Sequence, residues 1–116
     1  MLTGAMLGLM EQMGQDIVTL AGALDEREFF DSRSTQIITL RLLASMVKNV
    51  AYLPDDIKHC MPNIDWDAWH ALGAALTDPA SHRLQICVAI NELVPLSLKH
   101  LSDYRRSHPE LFSIDP

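Results

Sequence analysis

One stretch of this chain is apolar around almost its whole circumference when it is read as a helix. Between residues 34 and 52 a narrow polar stripe is marked by Arg41, Ser45 and Lys48, at steps of four and three residues. The apolar positions fill the remaining sides: Ile37, Ile38, Leu40, Leu42, Leu43, Ala44, Met46, Val47 and Val50. A helix with so narrow a polar face has to be buried on more than one side. The stretch therefore predicts the central helix of a bundle, or a helix with one flank against a partner subunit.

The N-terminal segment has the three- and four-residue spacing of an amphipathic helix over residues 3–24. Its apolar positions are predicted to share one face: Leu2, Met6, Leu9, Met13, Ile17, Leu20 and Leu24. Glycines weaken a helix, so those in this segment are interpreted as places where another helix approaches closely. Residues 25–32 are predicted to be a charged turn, which Phe29 and Phe30 anchor to the bundle.

The second half of the chain is divided by proline and aspartate residues. Pro54 ends the apolar helix and is followed by a short helix, and Asp65 is the predicted N-cap of the next helix. The last long helix spans residues 80–106, with a kink expected at Pro95.

No segment alternates with the two-residue period of a strand. We therefore predict an all-α fold, an up-down bundle of four main helices plus one or two short helices. A length of 116 residues suits one domain. The bundle is expected to occupy residues 1–106, and residues 107–116 are expected to form a C-terminal tail.

The net charge of the chain argues against nucleic acid as a binding partner. The chain has a formal net charge of −6, whereas broad nucleic-acid binding needs clustered Lys and Arg. Arg105 and Arg106 are adjacent, but the solvated end of a helix explains them. Nucleic acid is therefore disfavoured as a partner.

The cysteines and the apolar segments indicate the cellular compartment in which the chain is expected. Cys60 and Cys87 are widely spaced and form no CxxC pattern, which predicts neither a zinc site nor a disulfide framework. The apolar start has no basic region ahead of it, and no stretch is long enough to span a bilayer. These features fit a cytoplasmic protein without a membrane segment.

Several short motifs follow one another in an order that resembles the HepT-like branch of the HEPN family. Thr35-Gln36 opens the apolar helix, Leu53-Pro54 breaks it, and Ile64-Asp65-Trp66 begins the next helix. The segment from Ile90 to Pro95 is similar to the closing helix of that family, including its internal proline. The resemblance covers residues 12–102 and implies a helical bundle.

The resemblance also implies where a ribonuclease motif should lie, at the end of the helix that starts at Trp66. Family members have Arg, a polar residue, His and Tyr there; this chain has Gly73, Ala74, Asp78 and Ala80. Metal-independent RNA cleavage needs a group that moves the 2′-hydroxyl proton and a cation that stabilises the phosphorane. Glycine supplies neither, and aspartate repels phosphate. The replacement removes the chemistry and leaves these four residues as a predicted binding cleft.

The resulting prediction is a catalytically silent binding or regulatory module without a cofactor. By resemblance it is a homodimer, with a nucleotidyltransferase-type protein of a toxin–antitoxin pair as a possible partner. The apolar helix would supply the dimer interface through Ile38, Leu42 and Met46.

Two other functions stay open at this point. A divergent ribonuclease could use His82, Arg83 or an arginine of a partner subunit, although adjacent helical residues such as His82 and Arg83 point in different directions. A purely structural dimer would need no ligand. An uncharged cleft at residues 73–80 favours a binding module or a structural dimer, and convergent His and Arg side chains favour the ribonuclease.

The remaining candidates have simpler structural explanations. His59, Cys60 and His70 contain metal-binding side chains, but nothing in their spacing fixes a coordination geometry, so no metal site is predicted. Trp66 and Trp69 could stack on a base or a peptide, but at a spacing of three residues we expect them to pack in the bundle.

Overall fold

Helices account for nearly all of residues 2–112, the part of the chain that the computed structural model describes. They are α1 (Leu2–Ala21), α2 (Glu26–Asp31), α3 (Arg33–Tyr52), α4 (Asp55–Cys60), α5 (Trp66–Ala75), α6 (Arg83–Val88) and α7 (Val94–Ser107). A π-helical turn, Ala89–Leu93, joins α6 to α7 into one long helix. The predicted all-α bundle is confirmed. Over the described residues, no helix combines the length and the apolarity that crossing a membrane requires.

The central position predicted for the apolar helix is occupied by α3, which packs against α1, α2 and α5. Its buried positions are Thr39, Leu43, Met46 and Val50. The predicted polar stripe of Arg41, Ser45 and Lys48 is exposed. Three sides of α3 are therefore used inside one chain, and one side is left for solvent or a partner.

The predicted dimer interface on α3 does not form one surface. Met46 is fully buried among the core residues of its own chain and is not available to a second subunit. Leu42 is half-buried against the same core. Only Ile38 is open to solvent, with 47% of its surface exposed. The helical spacing alone could not separate the inner positions from the outer ones, because α3 is apolar on both.

The buried face of α1 is rotated by one position from the predicted face towards both ends of the helix, and at its end Leu20 is 38% exposed while Ala21 is buried. Leu7 and Met10 are fully buried, whereas Leu9 is 51% exposed. The contact with α7 fixes this rotation, because a Cβ atom at Gly14 would lie 2.7 Å from Cδ2 of Leu98. Gly14 is therefore a glycine at which another helix approaches closely, as predicted. The side chain of Leu2, also assigned to the predicted face, lies outside the described residues.

Residues 26–31 form a helix and not the predicted turn. The Asp25 carboxylate accepts a hydrogen bond from the backbone N–H of Glu28 at 2.8 Å, and the Glu28 carboxylate accepts one from the backbone N–H of Asp25 at 3.1 Å. This reciprocal capping box satisfies two otherwise unpaired N–H groups and starts α2. Phe29 is buried and packs edge-to-face with Phe30, as the anchoring prediction required. Asp65 caps α5 as predicted.

Both tryptophans are structural. The Trp69 side chain is fully buried, and its indole N–H donates to the hydroxyl of Ser97 on α7 at 3.0 Å. The Trp66 indole N–H donates to the carbonyls of Lys58 and Met61, at 3.2 and 3.1 Å. These bonds fix α5 against α7 and against the end of α4.

The expected distortion at Pro95 is the π-helical turn that precedes it. The backbone N–H of Val94 donates to the carbonyl of Ala89, five residues earlier. Proline lacks an N–H, and its ring clashes with the carbonyl four residues before it in a regular helix. A wider turn makes room for the ring, so the helix continues to Ser107.

The predicted C-terminal tail is partly wrong. A 3-10 turn spans Pro109–Phe112, and Phe112 is only 6% exposed, within the core. The Arg105 guanidinium lies 4.6 Å from the centre of the Phe112 ring and also donates to the carboxylate of Glu11 on α1. The bundle thus extends at least to residue 112. Residues 113–116 lie outside the described part of the chain.

Two glycines of α1 allow a matched test of the α1–α7 contact. We expect Gly8→Ala to raise the free energy of unfolding by about 0.5–1 kcal/mol, because a Cβ there meets nothing within 4 Å. Gly14→Ala should lower it by about 1 kcal/mol, since overpacking against Leu98 outweighs the gain in helix propensity. Urea denaturation measures both. Equal stabilisation by the two substitutions would contradict the close approach.

Candidate binding cleft

Gly73, which the resemblance aligns with the arginine of the family, faces a groove between α3 and α5. A Cβ atom at Gly73 would lie 3.2 Å from Cγ1 of Val47. The groove has a volume of about 320 Å³ and is lined by Ala44, Val47, Lys48, Ala51, Gly73, Leu76 and Thr77. We call it the Gly73 groove. Because glycine has no side chain, α5 can approach Val47 closely at this position, and the groove lies beside that contact.

Of the four residues predicted to line one cleft, the structure places only Gly73 in this groove. Ala74 is exposed on α5, outside the groove. Asp78 and Ala80 are exposed in the turn that follows α5, where Asp78 precedes the 3-10 turn Pro79–Ser81. The helix ends at Ala75, and although Leu76 and Thr77 still line the groove, Asp78 and Ala80 do not.

His82 and Arg83 do not converge on the Gly73 groove. The Nδ1 atom of His82 lies 2.9 Å from the backbone carbonyl of Asp78. A carbonyl only accepts, so Nδ1 carries the hydrogen in this contact. The Arg83 guanidinium turns to α2, with Nε 3.4 Å from a carboxylate oxygen of Glu26 and its centre 4.4 Å from the centre of the Phe30 ring. The two side chains therefore do not line the Gly73 groove together.

The side chains of the Gly73 groove are suited to binding and not to proton transfer. They are aliphatic apart from Thr77 and Lys48. The Thr77 hydroxyl donates to the carbonyl of Ala74 at 2.7 Å, which uses its hydrogen. Lys48 is exposed and leaves a positive charge at the edge of the groove. Such a surface accepts apolar side chains and an accompanying acidic group.

His59 and His70 line a separate groove, of about 350 Å³, between α4 and the start of α5. Cys60, the third residue considered with them, does not line it. Within residues 2–112, no group of three or more His, Cys, Asp or Glu side chains is arranged to hold a metal ion.

The two cysteines differ in environment. Cys60 is exposed on α4. Cys87 is buried on α6, where burial, and then the nearby charge of Glu26, raise the pKa of its thiol. Burial favours the neutral thiol, so Cys87 is an inert core residue.

The outer face of α3 carries a row of positive charges, of which the sequence analysis identified Arg41 and Lys48 only as part of a polar stripe. Arg33, Arg41 and Lys48 are all exposed, and we call these three residues the basic stripe. Over the described residues, none of them belongs to an ion pair. The signal was present in the sequence, because no Asp or Glu occurs between residues 33 and 52.

Comparison of the chain with protein-family models, with curated proteins and with solved structures gave no match. The resemblance to HepT-like HEPN proteins stays a prediction from the sequence.

Proposed function

We propose that this chain is a catalytically silent, protein-binding module that uses the Gly73 groove to hold a segment of a partner protein. The observation that carries the proposal is the groove itself. Gly73 stands where the resembling ribonucleases have arginine, it lines an aliphatic groove, and His82 and Arg83 make their contacts elsewhere. In line with the resemblance, the proposed setting is a cytoplasmic regulatory pair, with a nucleotidyltransferase-type protein as a possible partner.

The composition of the groove favours a protein segment over RNA. Burying aliphatic side chains of a partner against Val47 and Leu76 contributes about 25 cal/mol for each Å² of apolar surface removed from water. RNA offers charged phosphates, which would lose hydration against such a surface without enough cations to compensate.

We also propose that the chain forms a homodimer, but through α5 and α6 and not through α3. Leu84 is 70% exposed and Val88 is 44% exposed on α6. Beside them is a groove of about 190 Å³, lined by Ala68, Ala71, Leu72, Gln85, Val88, Ala89 and Leu93. A two-fold axis through this surface would bring each protruding Leu84 towards the groove of the other copy. The groove lining carries no charged residue, so the pairing involves no repulsion there.

The test of catalytic silence is RNA cleavage by the purified protein at neutral pH without added metal. We expect a mixed RNA pool to stay intact, because neither His82 nor Arg83 lines the Gly73 groove. His82→Ala, purified in parallel, controls for contaminating nucleases. Cleavage by the natural protein that His82→Ala abolishes would overturn the proposal. A Gly73→Arg, Asp78→His double variant restores the residues of the family, and activity in that variant alone would support the resemblance.

The test of the dimer is sedimentation equilibrium of Leu84→Glu beside Leu9→Glu. Leu9 is also exposed, but on α1, so its substitution is the matched control. We expect the natural chain and the Leu9 variant to be dimers, and the Leu84 variant to be a monomer because a carboxylate would be buried unpaired. A natural chain that is monomeric, or a Leu84 variant that stays dimeric, would contradict this interface.

A further inference from the structure

The basic stripe runs along the one side of α3 that the bundle leaves open. At 1.5 Å of rise per residue, Arg33 and Arg41 are separated by about 12 Å, and Arg41 and Lys48 by about 10 Å. All three charges are exposed. The whole chain has a formal net charge of −6, and all of its acidic residues lie outside α3.

Helix stability does not account for the basic stripe. Arg33 is the first residue of α3, where the positive end of the helix dipole disfavours a cation. Arg41 and Lys48 have no acidic residue three or four positions away with which to form a stabilising pair. By contrast, Arg83 and Arg105 both form ion pairs between helices of the bundle.

Apolar side chains accompany the charges on the same face. Ile37 is 43% exposed, Ile38 is 47% exposed, and Tyr52 is 68% exposed. Lys48 belongs both to the basic stripe and to the Gly73 groove. The stripe and the groove therefore form one continuous surface, which combines aliphatic contacts with regularly spaced cations.

We infer that this surface binds an acidic amphipathic helix of a partner protein. Its aliphatic side chains enter the Gly73 groove, and acidic residues spaced by seven or eight positions face Arg33, Arg41 and Lys48. The same spacing on the two helices keeps each carboxylate near one cation along the contact. The inference rests on the proposed function, since it specifies the chemistry of the partner segment.

Charge decides against a second copy of this chain at the same surface. In an antiparallel pair of α3 helices with the two-fold axis near Arg41, each Arg41 would lie next to the Arg41 of the other copy. Each Arg33 would then lie near the Lys48 of the other copy. Like charges held this close repel, and α3 offers no acidic residue to compensate. RNA is disfavoured because the cations are about 10 Å apart along the helix, with isoleucines between them.

The test measures binding of a fluorescent synthetic helix with leucines on one face and glutamates seven residues apart on its edge. A peptide with lysines in place of the glutamates and a single-stranded RNA are compared with it by fluorescence anisotropy. We expect the glutamate peptide alone to bind, and its affinity to fall as salt is raised. Lys48→Glu should weaken it about fivefold, while Lys99→Glu, the same change on α7, should alter it less than about twofold.

Three outcomes would overturn the inference. The first is equal affinity for the two peptides, or no binding of either. The second is an equal loss with Lys48→Glu and Lys99→Glu, which would reflect net charge and not the basic stripe. The third is RNA binding, or self-association, that Lys48→Glu abolishes, since either would assign the surface to another occupant.

The failures of the two proposals are distinguishable. If the chain cleaves RNA yet binds the glutamate peptide through Lys48, the proposal of catalytic silence is wrong and the inference of an acidic partner helix stands. If the chain does not cleave RNA and does not bind the peptide, catalytic silence stands and the inference of an acidic partner helix is wrong. Lys48 is exposed, and a melting curve of each variant confirms that the fold is intact.

Discussion

The burial of α3 on three sides is the constraint from which the other features follow. Thr39, Leu43, Met46 and Val50 lie in the core between α1, α2 and α5. Every charged residue of that helix is therefore confined to the one remaining face. The Gly73 groove forms where this face meets α5, so the bundle brings an aliphatic depression and a row of cations together.

Glycine at residue 73 has both a chemical and a structural consequence. It supplies no cation that could stabilise a phosphorane, and without a side chain it lets α5 approach Val47 closely. The remaining polar groups nearby are satisfied locally: Thr77 bonds to Ala74, and His82 contacts the carbonyl of Asp78. A surface of this kind provides contact area and a cationic edge without a group poised to move a proton.

Sequence reasoning succeeded where a local signal determines the structure. Asp65 caps α5 because its carboxylate reaches the backbone N–H of Ala68, and Pro95 imposes the helix distortion through its own ring. Both effects depend on a few neighbouring residues. The all-α class follows from helical periodicity in every long segment.

The features that sequence reasoning missed depend on contacts between distant segments. Leu7 is buried and Leu9 is exposed because Gly14 has to face Leu98, which is 84 positions away in the chain. Phe112 belongs to the core because Arg105 and α1 hold it there. The α2 helix is an exception, since the Asp25–Glu28 capping box could have been read from the sequence. The predicted cleft failed because α5 ends at Ala75, which separates Gly73 from Asp78 and Ala80. The spacing of these residues in the sequence did not reveal where the helix ends.

The central claim is that the Gly73 groove and the basic stripe are one binding surface. The most direct measurement is a titration of ¹⁵N-labelled protein with the unlabelled glutamate peptide, followed by two-dimensional NMR. The account predicts that amide shifts concentrate on the outer face of α3 and the C-terminal half of α5, at Ala44, Lys48, Ala51 and Gly73. Shifts centred instead on α6, around Leu84 and Val88, would contradict it.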